Sequence, residues 1–192
     1  SPPLKDAIQR DYETSLSAIF DDFHRHPELS GMEVRTSARM AALLTGLGYD
    51  VTPGVGGTGV VAVLRNGDGP TVMMRADMDG LPLKENSGLA NASTVTQVDA
   101  DGTEKPVMHA CGHDVHITAL VGAARQMMER KGDWSGTLVL IVQPAEERIF
   151  GARAMVEDGL YSRFPKPDYA IAFHVAADLP TGRVEVPLGI VS

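Results

Sequence analysis

Residues 137–147 read TLVLIVQPAEE, an unbroken apolar run that ends in a proline and two adjacent carboxylates. A run of this kind, without polar alternation, is typical of a strand that is buried on both faces of a sheet. Residues 169–174 predict a second buried strand, and 59–64 and 71–75 are further apolar or β-branched runs of strand length. Arg183 to Val186 is a weaker candidate for one more strand.

Helical periodicity surrounds these strands. Apolar residues recur at spacings of three and four over residues 4–23, 34–47, 114–131 and 151–158, and Gly48 is suited to end the second helix. Residues 95–98 and 106–109 flank the turn sequence DADG and predict a hairpin. The alternation of strands and helices predicts the α/β class, with a mixed, largely parallel central sheet flanked by helices.

Composition narrows the classes of function. The chain has 192 residues, a formal net charge of −8 and one cysteine. The acidic balance argues against nucleic acid as a partner, and no apolar run approaches the roughly 20 residues that span a bilayer. A single cysteine excludes an internal disulfide. We expect no membrane association and a cytoplasmic location, which a removed signal peptide would change to the periplasm or the exterior.

Ionisable residues stand at the ends of the predicted strands and in the loop before the helix at 114–131. They are Asp77, Asp79, Cys111, His113, Glu146, Glu147 and His174. Thiolate, imidazole and carboxylate are the ligands of zinc, manganese, cobalt or nickel. One of two adjacent carboxylates can bind a metal while the other acts as general base. A lone buried cysteine is usually core packing, but four such signals at the ends of separate elements favour a metal centre.

Other interpretations of the same features stay open or are rejected. Cys111 with a histidine base could be a nucleophile, although a metal centre uses more of these residues. Residues 54–59 match G-x-G-x-x-G, but a strand follows rather than a helix, which predicts a plain turn. Residues 24–26 (HRH) are interpreted as a helix cap or a surface cluster. His116, one helical turn after His113, is either support for the site or ordinary core or surface.

Four motifs occur in a fixed order: HRHPELS at 24–30, RADMDGLP at 75–82, MHACGHD at 108–114 and QPAEE at 143–147. Together they resemble the aminoacylase and carboxypeptidase family of metallopeptidases, specifically its amidohydrolase branch. That branch includes hippurate hydrolases, N-acyl-amino-acid amidohydrolases, N-acetyldiaminopimelate deacetylases and plant auxin-conjugate hydrolases. The resemblance implies a zinc-exopeptidase-like catalytic domain.

The resemblance also implies roles for individual residues. The ligands of a site for two divalent ions (Zn, Mn, Co or Ni) are Cys111, His113, Glu147 and His174. Glu146 is the general base that takes a proton from metal-activated water, and Asp79 supports the site without binding the metal. The reaction is hydrolysis of the amide bond of small-molecule N-acyl amino acids or related conjugates.

The length departs from the family pattern. Family members run to about twice this length, enough for two domains, with a lid and dimerisation domain after a strand like 182–191. The resemblance therefore implies that residues 1–192 are the N-terminal part of the catalytic domain, incomplete at the C-terminus, of a homo-oligomeric protein. The alternative is a non-catalytic fragment or assembly module that is inactive on its own.

Residues 90–107 are longer than the segment that usually leads into the cysteine motif in this family. We expect their hairpin to shape the pocket mouth or a partner contact.

Overall fold

The structure is a computed structural model that describes residues 2–186. Its strands are β1 (Asp50–Val55), β2 (Gly59–Asn66), β3 (Thr71–Asp77), β4 (Thr96–Val98), β5 (Glu104–Pro106), β6 (Gly136–Gln143) and β7 (Tyr169–Ala172). Its α-helices are α1 (Leu4–Asp11), α2 (Ser17–Arg25), α3 (Val34–Gly46), α4 (His113–Glu129), α5 (Gly151–Glu157) and α6 (Leu160–Arg163). A π-helical segment, Tyr12–Leu16, joins α1 to α2, and a 3₁₀ turn, Lys131–Asp133, follows α4.

Five strands form the central sheet in the order β1-β2-β6-β3-β7. The pairs β1–β2 and β2–β6 are antiparallel, whereas β6–β3 and β3–β7 are parallel. The predicted α/β class with a mixed central sheet is therefore confirmed. The predicted hairpin is confirmed as β4–β5, a separate two-stranded sheet.

Strand β6 is buried on both faces, as its continuous apolar sequence predicts. Leu138 and Leu140 contribute to the larger core, which α2, α3 and α4 cover. Val139 and Ile141 point to the opposite face, where α5 and α6 close a smaller core. Because helices cover both faces, the loops at the strand ends are where this sheet can present polar side chains to a ligand.

Three of the predicted helices are found at the expected positions. The predictions at 34–47, 114–131 and 151–158 correspond to α3, α4 and α5. Gly48 follows α3 with a φ of 91°, a left-handed conformation that glycine adopts without strain. None of the described helices combines the length and the apolar character that crossing a bilayer requires.

The burial predicted for residues 169–174 is wrong. Strand β7 ends at Ala172 and lies at the edge of the sheet, where it pairs with β3. The side chains of Tyr169 and Ile171 are 66% and 53% exposed. The strand is apolar, as its sequence shows, but nothing within residues 2–186 covers this edge of the sheet.

The strand predicted at Arg183 to Val186 is also wrong, because these residues form no strand in the structure. The remainder of the strand expected near 182–191 falls on residues 187–191, outside the described part of the chain. His174 accordingly lies in an irregular segment that follows β7 rather than at the end of a buried strand.

The apolar face predicted over residues 4–23 is divided between the core and the surface. Leu16 and Phe23 are buried, whereas Leu4, Ile8 and Tyr12 are about half exposed. Together with small residues of α4, these three side chains line an apolar groove with a volume of about 680 Å³. We call this surface the α1–α4 groove.

Residues 54–59 form a turn between β1 and β2, as predicted. Gly56 and Gly57 have φ values of 65° and 103°, and β2 begins at Gly59. Since a strand follows the turn, these glycines do not provide the helix N-terminus that cradles a phosphate.

Candidate metal centre

The carboxyl ends of three parallel strands bring the candidate site together. Strands β3 and β6 are in register, with Asp77 opposite Gln143, and β7 runs beside β3. The loops that follow these strands therefore leave the sheet at one edge. The first residue of α4 reaches the same edge, since Nε2 of His113 lies 3.5 Å from Oδ2 of Asp77.

Gly112 makes the turn that places Cys111 and His113 on either side of it. Its φ is 79°, and it immediately precedes α4. A Cβ at this position would lie 2.3 Å from Cγ2 of Val175, so the close approach requires glycine. This approach brings the segment after β7 against the turn, where Sγ of Cys111 lies 3.3 Å from Nε2 of His174.

The ring of His174 presents a lone pair to Cys111. Its Nδ1 donates a hydrogen bond to the carbonyl oxygen of Val175 at 2.6 Å. In the neutral ring Nε2 is then unprotonated and free to accept. An oxygen held at one ring nitrogen is the usual way in which proteins prepare the other nitrogen as a metal ligand.

The ring of His113 has carboxylates near both of its nitrogens. Its Nδ1 lies 3.2 Å from Oδ1 of Asp79, close but poorly aligned for a hydrogen bond. Its Nε2 faces the carboxylates of Glu146 and Glu147, at 3.8 Å and 3.7 Å. One imidazole therefore faces both adjacent glutamates across the strand ends.

Three groups of potential ligand atoms share this imidazole, and within each group the atoms lie within 4.8 Å of one another. The groups are Cys111 with His113 and His174, His113 with Glu146 and Glu147, and Asp77 with His113 and His116. The structure thus brings together, around His113, the side chains that the sequence nominated as ligands and base.

Buried polar atoms at this point test whether a metal ion fits. Among the described residues, both ring nitrogens of His113 and Oε1 of Glu147 are buried without a hydrogen-bond partner. An unpaired buried polar atom costs about 1–3 kcal/mol, and a divalent cation bound between Nε2 of His113 and Oε1 of Glu147, which lie 3.7 Å apart, would satisfy both of these atoms. Thiolate, imidazole and carboxylate are also the donor types that zinc and its neighbours accept. The residues present therefore fit a metal ion.

Burial and nearby carboxylates both raise the pKa of Cys111. Burial raises the pKa of its thiol to about 11, and the carboxylates of Glu147 and Glu146 add to the rise. A thiol with this pKa is a poor nucleophile at neutral pH, which weakens the interpretation as a cysteine hydrolase. Burial also raises the pKa of Glu147. Burial acts to lower the pKa of His113, but Asp79 and other nearby carboxylates outweigh it and raise the pKa.

Asp79 supports the loop that carries the two glutamates. Its side chain is buried, and its Oδ2 accepts hydrogen bonds from Oγ of Ser30 at 2.6 Å and from the backbone N–H of Glu147 at 3.0 Å. Burial alone would raise the pKa of Asp79, but His113 and these donors outweigh it and lower the pKa. This position suits the supporting role that the sequence resemblance implies.

The sequence profile of peptidase family M20/M25/M40 matches residues 73–189, more than half of the chain. The chain belongs to this family. The metallopeptidase resemblance inferred from the four motifs is therefore confirmed at the level of the family.

Curated relatives of this M20/M25/M40 chain include several hydrolases. Thermostable carboxypeptidase 1 of Saccharolobus solfataricus is 40% identical over 177 residues, covering 90% of this chain and 42% of that protein. Hippurate hydrolase of Campylobacter jejuni is 39% identical over 165 residues, covering 85% and 40%. N-acetyl-L-cysteine deacetylase of Bacillus subtilis is 36% identical over 178 residues, covering 92% and 40%. The chain thus spans less than half the length of these relatives.

Solved structures show the same fold. The Bacillus subtilis YXEP protein, described as a dinuclear metal binding peptidase from the M20 family, matches with a TM-score of 0.78 and 34% identity, over 89% of this chain and 45% of that chain. An aminobenzoyl-glutamate utilization protein from Klebsiella pneumoniae matches with a TM-score of 0.71 and 27% identity, over 92% and 47%. The predicted fold class agrees with these M20 structures.

The sequence left the role of His116 open. His116 is buried, with its Nδ1 2.6 Å from Oδ1 of Asp77, and its Nε2 accepts the backbone N–H of Val175 at 3.0 Å. His116 therefore connects the end of β3 to the segment that carries His174. The spacing of one helical turn between His113 and His116 was the only sign of this role in the sequence. The contact with Asp77 could not be read from it, because Asp77 lies 39 residues away.

The interpretation of residues 24–26 as a cap or surface cluster is wrong for His24, although His26 is exposed. Nδ1 of His24 lies 2.7 Å from Oδ2 of Asp114, and its Nε2 lies 3.1 Å from Oε1 of Glu85. These carboxylates are 90 and 61 residues away, so local pattern could not reveal them. His24 braces the first turn of α4, immediately after His113.

The additional hairpin lies beside the loop of the two glutamates. A guanidinium nitrogen of Arg148, the residue after Glu147, lies 2.7 Å from each carboxylate oxygen of Asp99 in the β4–β5 turn. Lys105 of β5 contacts the same carboxylate at 2.9 Å. The hairpin therefore contacts the loop that carries the two glutamates, and its expected effect on the pocket mouth or on a partner contact stays a prediction.

Proposed function

We propose that this chain belongs to a metal-dependent amidohydrolase that cleaves the amide bond of N-acyl amino acids or related amide conjugates. The observation that carries the proposal is the position of His113, which the Cys111–His174 pair and the Glu146–Glu147 pair share. The names of three relatives support the substrate class: hippurate hydrolase, N-acetyl-L-cysteine deacetylase and the IAA-amino acid hydrolase ILR1-like 2 of Arabidopsis thaliana.

In this proposal two divalent ions are held by Cys111, His113, Glu147 and His174. Zinc, manganese, cobalt and nickel all accept this ligand set. Such ions, when bound, polarise an amide carbonyl and lower the pKa of water. The description of the YXEP protein as a dinuclear metal binding peptidase supports the expectation of two ions.

Glu146 is the residue that we assign as general base. Its side chain is 40% exposed, against 19% for Glu147. The more exposed carboxylate can meet both water and substrate, while its neighbour is better placed to bind an ion. Glu146 takes a proton from the attacking water and delivers it to the departing amine.

The test is an assay of the full-length protein with a panel of N-acetyl and N-benzoyl amino acids. We expect hydrolysis that stops when a chelator removes the metal and returns when zinc, manganese, cobalt or nickel is added. Hydrolysis that persists after the metal has been removed would contradict the proposal and would favour Cys111 as a nucleophile.

We further propose that residues 1–192 are the N-terminal part of the catalytic domain. Later segments would supply a lid and dimerisation domain and the rest of the catalytic domain. Two uncovered apolar surfaces support this organisation: the free edge of β7 and the α1–α4 groove. The fraction of each relative that the chain spans, 40–42% for the three described above, supports it as well.

The alternative is that the chain acts alone as a non-catalytic fragment or assembly module, since an open sheet edge invites self-association. Activity and oligomeric state of residues 1–192, measured beside those of the full-length protein, discriminate the two. We expect turnover and a homo-oligomer for the full-length protein only. Turnover by residues 1–192 alone would contradict the domain organisation proposed above.

A further inference from the structure

Two buried carboxylates hold the backbone on either side of Glu146. Oε1 of Glu33 accepts a hydrogen bond from the backbone N–H of Ala145 at 2.8 Å, across 112 residues of sequence. Oδ2 of Asp79 accepts one from the backbone N–H of Glu147 at 3.0 Å. The residue proposed as general base therefore lies between two anchored backbone groups.

Glu33 is itself held in one orientation. It is fully buried, and the same Oε1 also accepts the backbone N–H of Gly31 at 2.7 Å. Its Oε2 accepts the hydroxyl of Thr58 at 2.6 Å. Burial raises the pKa of Glu33, and the three donors act against that rise. One side chain thus connects the start of α3, the turn after β1 and the loop after β6.

The loop that Glu33 anchors has a strained backbone. Ala145 and Ile149 have φ values of 47° and 58°, in the left-handed region that non-glycine residues rarely adopt. Gly151 closes the loop so tightly that a Cβ there would lie 1.6 Å from the carbonyl oxygen of Pro144. Strain of this kind is unfavourable and persists only where the surroundings hold it. The hydrogen bond from Ala145 to Glu33 is such a restraint.

We propose that Glu33 is a positioning residue that aims the carboxylate of Glu146 by holding the left-handed Ala145. The proposal rests on the function proposed above for Glu146. It also gives a structural role to the segment formed by the HRHPELS motif and the three residues after it. Ser30, in the same segment, donates a 2.6 Å hydrogen bond to Asp79, so one short stretch before α3 supplies Glu33 and also holds the other support of the glutamate loop.

Three substitutions in the full-length, metal-loaded protein test this role. Glu33→Met keeps the length of the side chain but leaves the N–H of Ala145 without an acceptor. Glu33→Gln keeps an acceptor oxygen for that N–H. Thr58→Val removes only the hydroxyl contact to the same carboxylate. We expect kcat to fall about 10–100-fold in Glu33→Met, because small misplacement of a catalytic group has effects of this size.

The expected KM of Glu33→Met stays within about threefold of wild type, since substrate binding is not what Glu33 supports. Glu33→Gln and Thr58→Val should keep kcat near wild type. Leu44→Ala is the control for lost stability, because Leu44 is fully buried in the larger core and is not part of the site. It should lower Tm and leave kcat unchanged. If Glu33→Met does not fold, Glu33→Asp, whose shorter side chain retracts the acceptor, takes its place.

Amide hydrogen exchange gives a readout that needs no hydrolysis. Exchange at residues 145–149 should be faster in Glu33→Met than in wild type and unchanged in Glu33→Gln. Wild-type kcat in Glu33→Met, unchanged exchange in this loop, or an equal loss of kcat in Glu33→Gln or Leu44→Ala would overturn the proposal. Absence of hydrolysis by the wild-type protein would refute the proposed function instead, and exchange would still test the contact between Glu33 and Ala145.

Discussion

Cys111 and His174 are 63 residues apart in sequence, yet Sγ of Cys111 lies 3.3 Å from Nε2 of His174. The approach depends on Gly112, because any side chain there would collide with Val175. It brings sulfur and a second imidazole close to His113, which also lies close to the carboxylates of Glu146 and Glu147. Sulfur, nitrogen and oxygen ligands together suit the borderline divalent metals.

The two adjacent glutamates should have separable effects. Glu146→Gln in the full-length protein should retain its metal and lose turnover by about 10²–10⁴-fold, the usual contribution of a general base. Glu147→Gln, the matched variant one residue on, should lose metal as well. Metal analysis and kcat, measured on both variants, check this. Normal turnover in Glu146→Gln would remove the assignment of the base.

His174 should matter for metal binding although it is exposed. His174→Ala should weaken metal affinity at least about tenfold, since even residues behind the ligands change affinity by about 10–100-fold. His26→Ala is the matched control, because His26 is also exposed but bonds to the backbone carbonyl of Asp22 at 2.7 Å. Competition with a chelator measures the metal affinity of both variants. Equal affinities for the two variants would exclude His174 as a ligand.

His116 should act on the metal through the segment after β7. His116→Phe keeps an aromatic ring but removes both nitrogens, so Oδ1 of Asp77 and the N–H of Val175 lose their partner. We expect metal affinity to fall about 10–100-fold, the range found for supporting residues, and the amide of Val175 to exchange faster. Unchanged affinity together with unchanged exchange would show that His116 does not position His174.

Stability should depend on pH through His24. Burial acts to lower the pKa of His24, but the hydrogen bonds with Asp114 and Glu85 outweigh it and raise the pKa. The stabilisation is therefore fully present below the unfolded pKa of about 6.5 and is lost as pH rises through the folded pKa. The free energy of unfolding of wild type, compared with that of His24→Gln, should show the largest advantage near pH 6 and a smaller one near pH 9.

Urea unfolding at several pH values measures this difference, and His26→Gln serves as a control at a neighbouring exposed histidine. Since the pKa of Glu85 is lowered, its carboxylate stays ionised over the range tested. A difference between wild type and His24→Gln that stays constant or grows with pH would contradict the assigned ion pairs.

Local patterns were sufficient for most of the fold. Strand β6 was predicted from a continuous apolar run, and helices α3 and α4 from apolar residues at spacings of three and four. Both patterns depend only on neighbouring residues. The exposure of β7 could not be predicted in this way. Residues 169–174 have the same apolar character whether a further element covers them or not, and burial is decided by that element.

The site was only partly readable for the same reason. Cys111, His113 and the two glutamates carry chemistry in their residue types, which nominates them from sequence. Glu33 does not, because its role is defined by a hydrogen bond to Ala145 across 112 residues. A supporting carboxylate such as Glu33, which lies outside the four motifs, is found only when the chain has been folded.

Crystallography of the zinc-loaded full-length protein, with anomalous scattering at the zinc edge, tests the shared metal centre most directly. We expect an anomalous peak about 2.3 Å from Sγ of Cys111 and about 2.0–2.1 Å from a ring nitrogen of His113 or His174. Occupancy of that peak should drop in Cys111→Ala. A peak away from these side chains, or full occupancy in Cys111→Ala, would contradict the account.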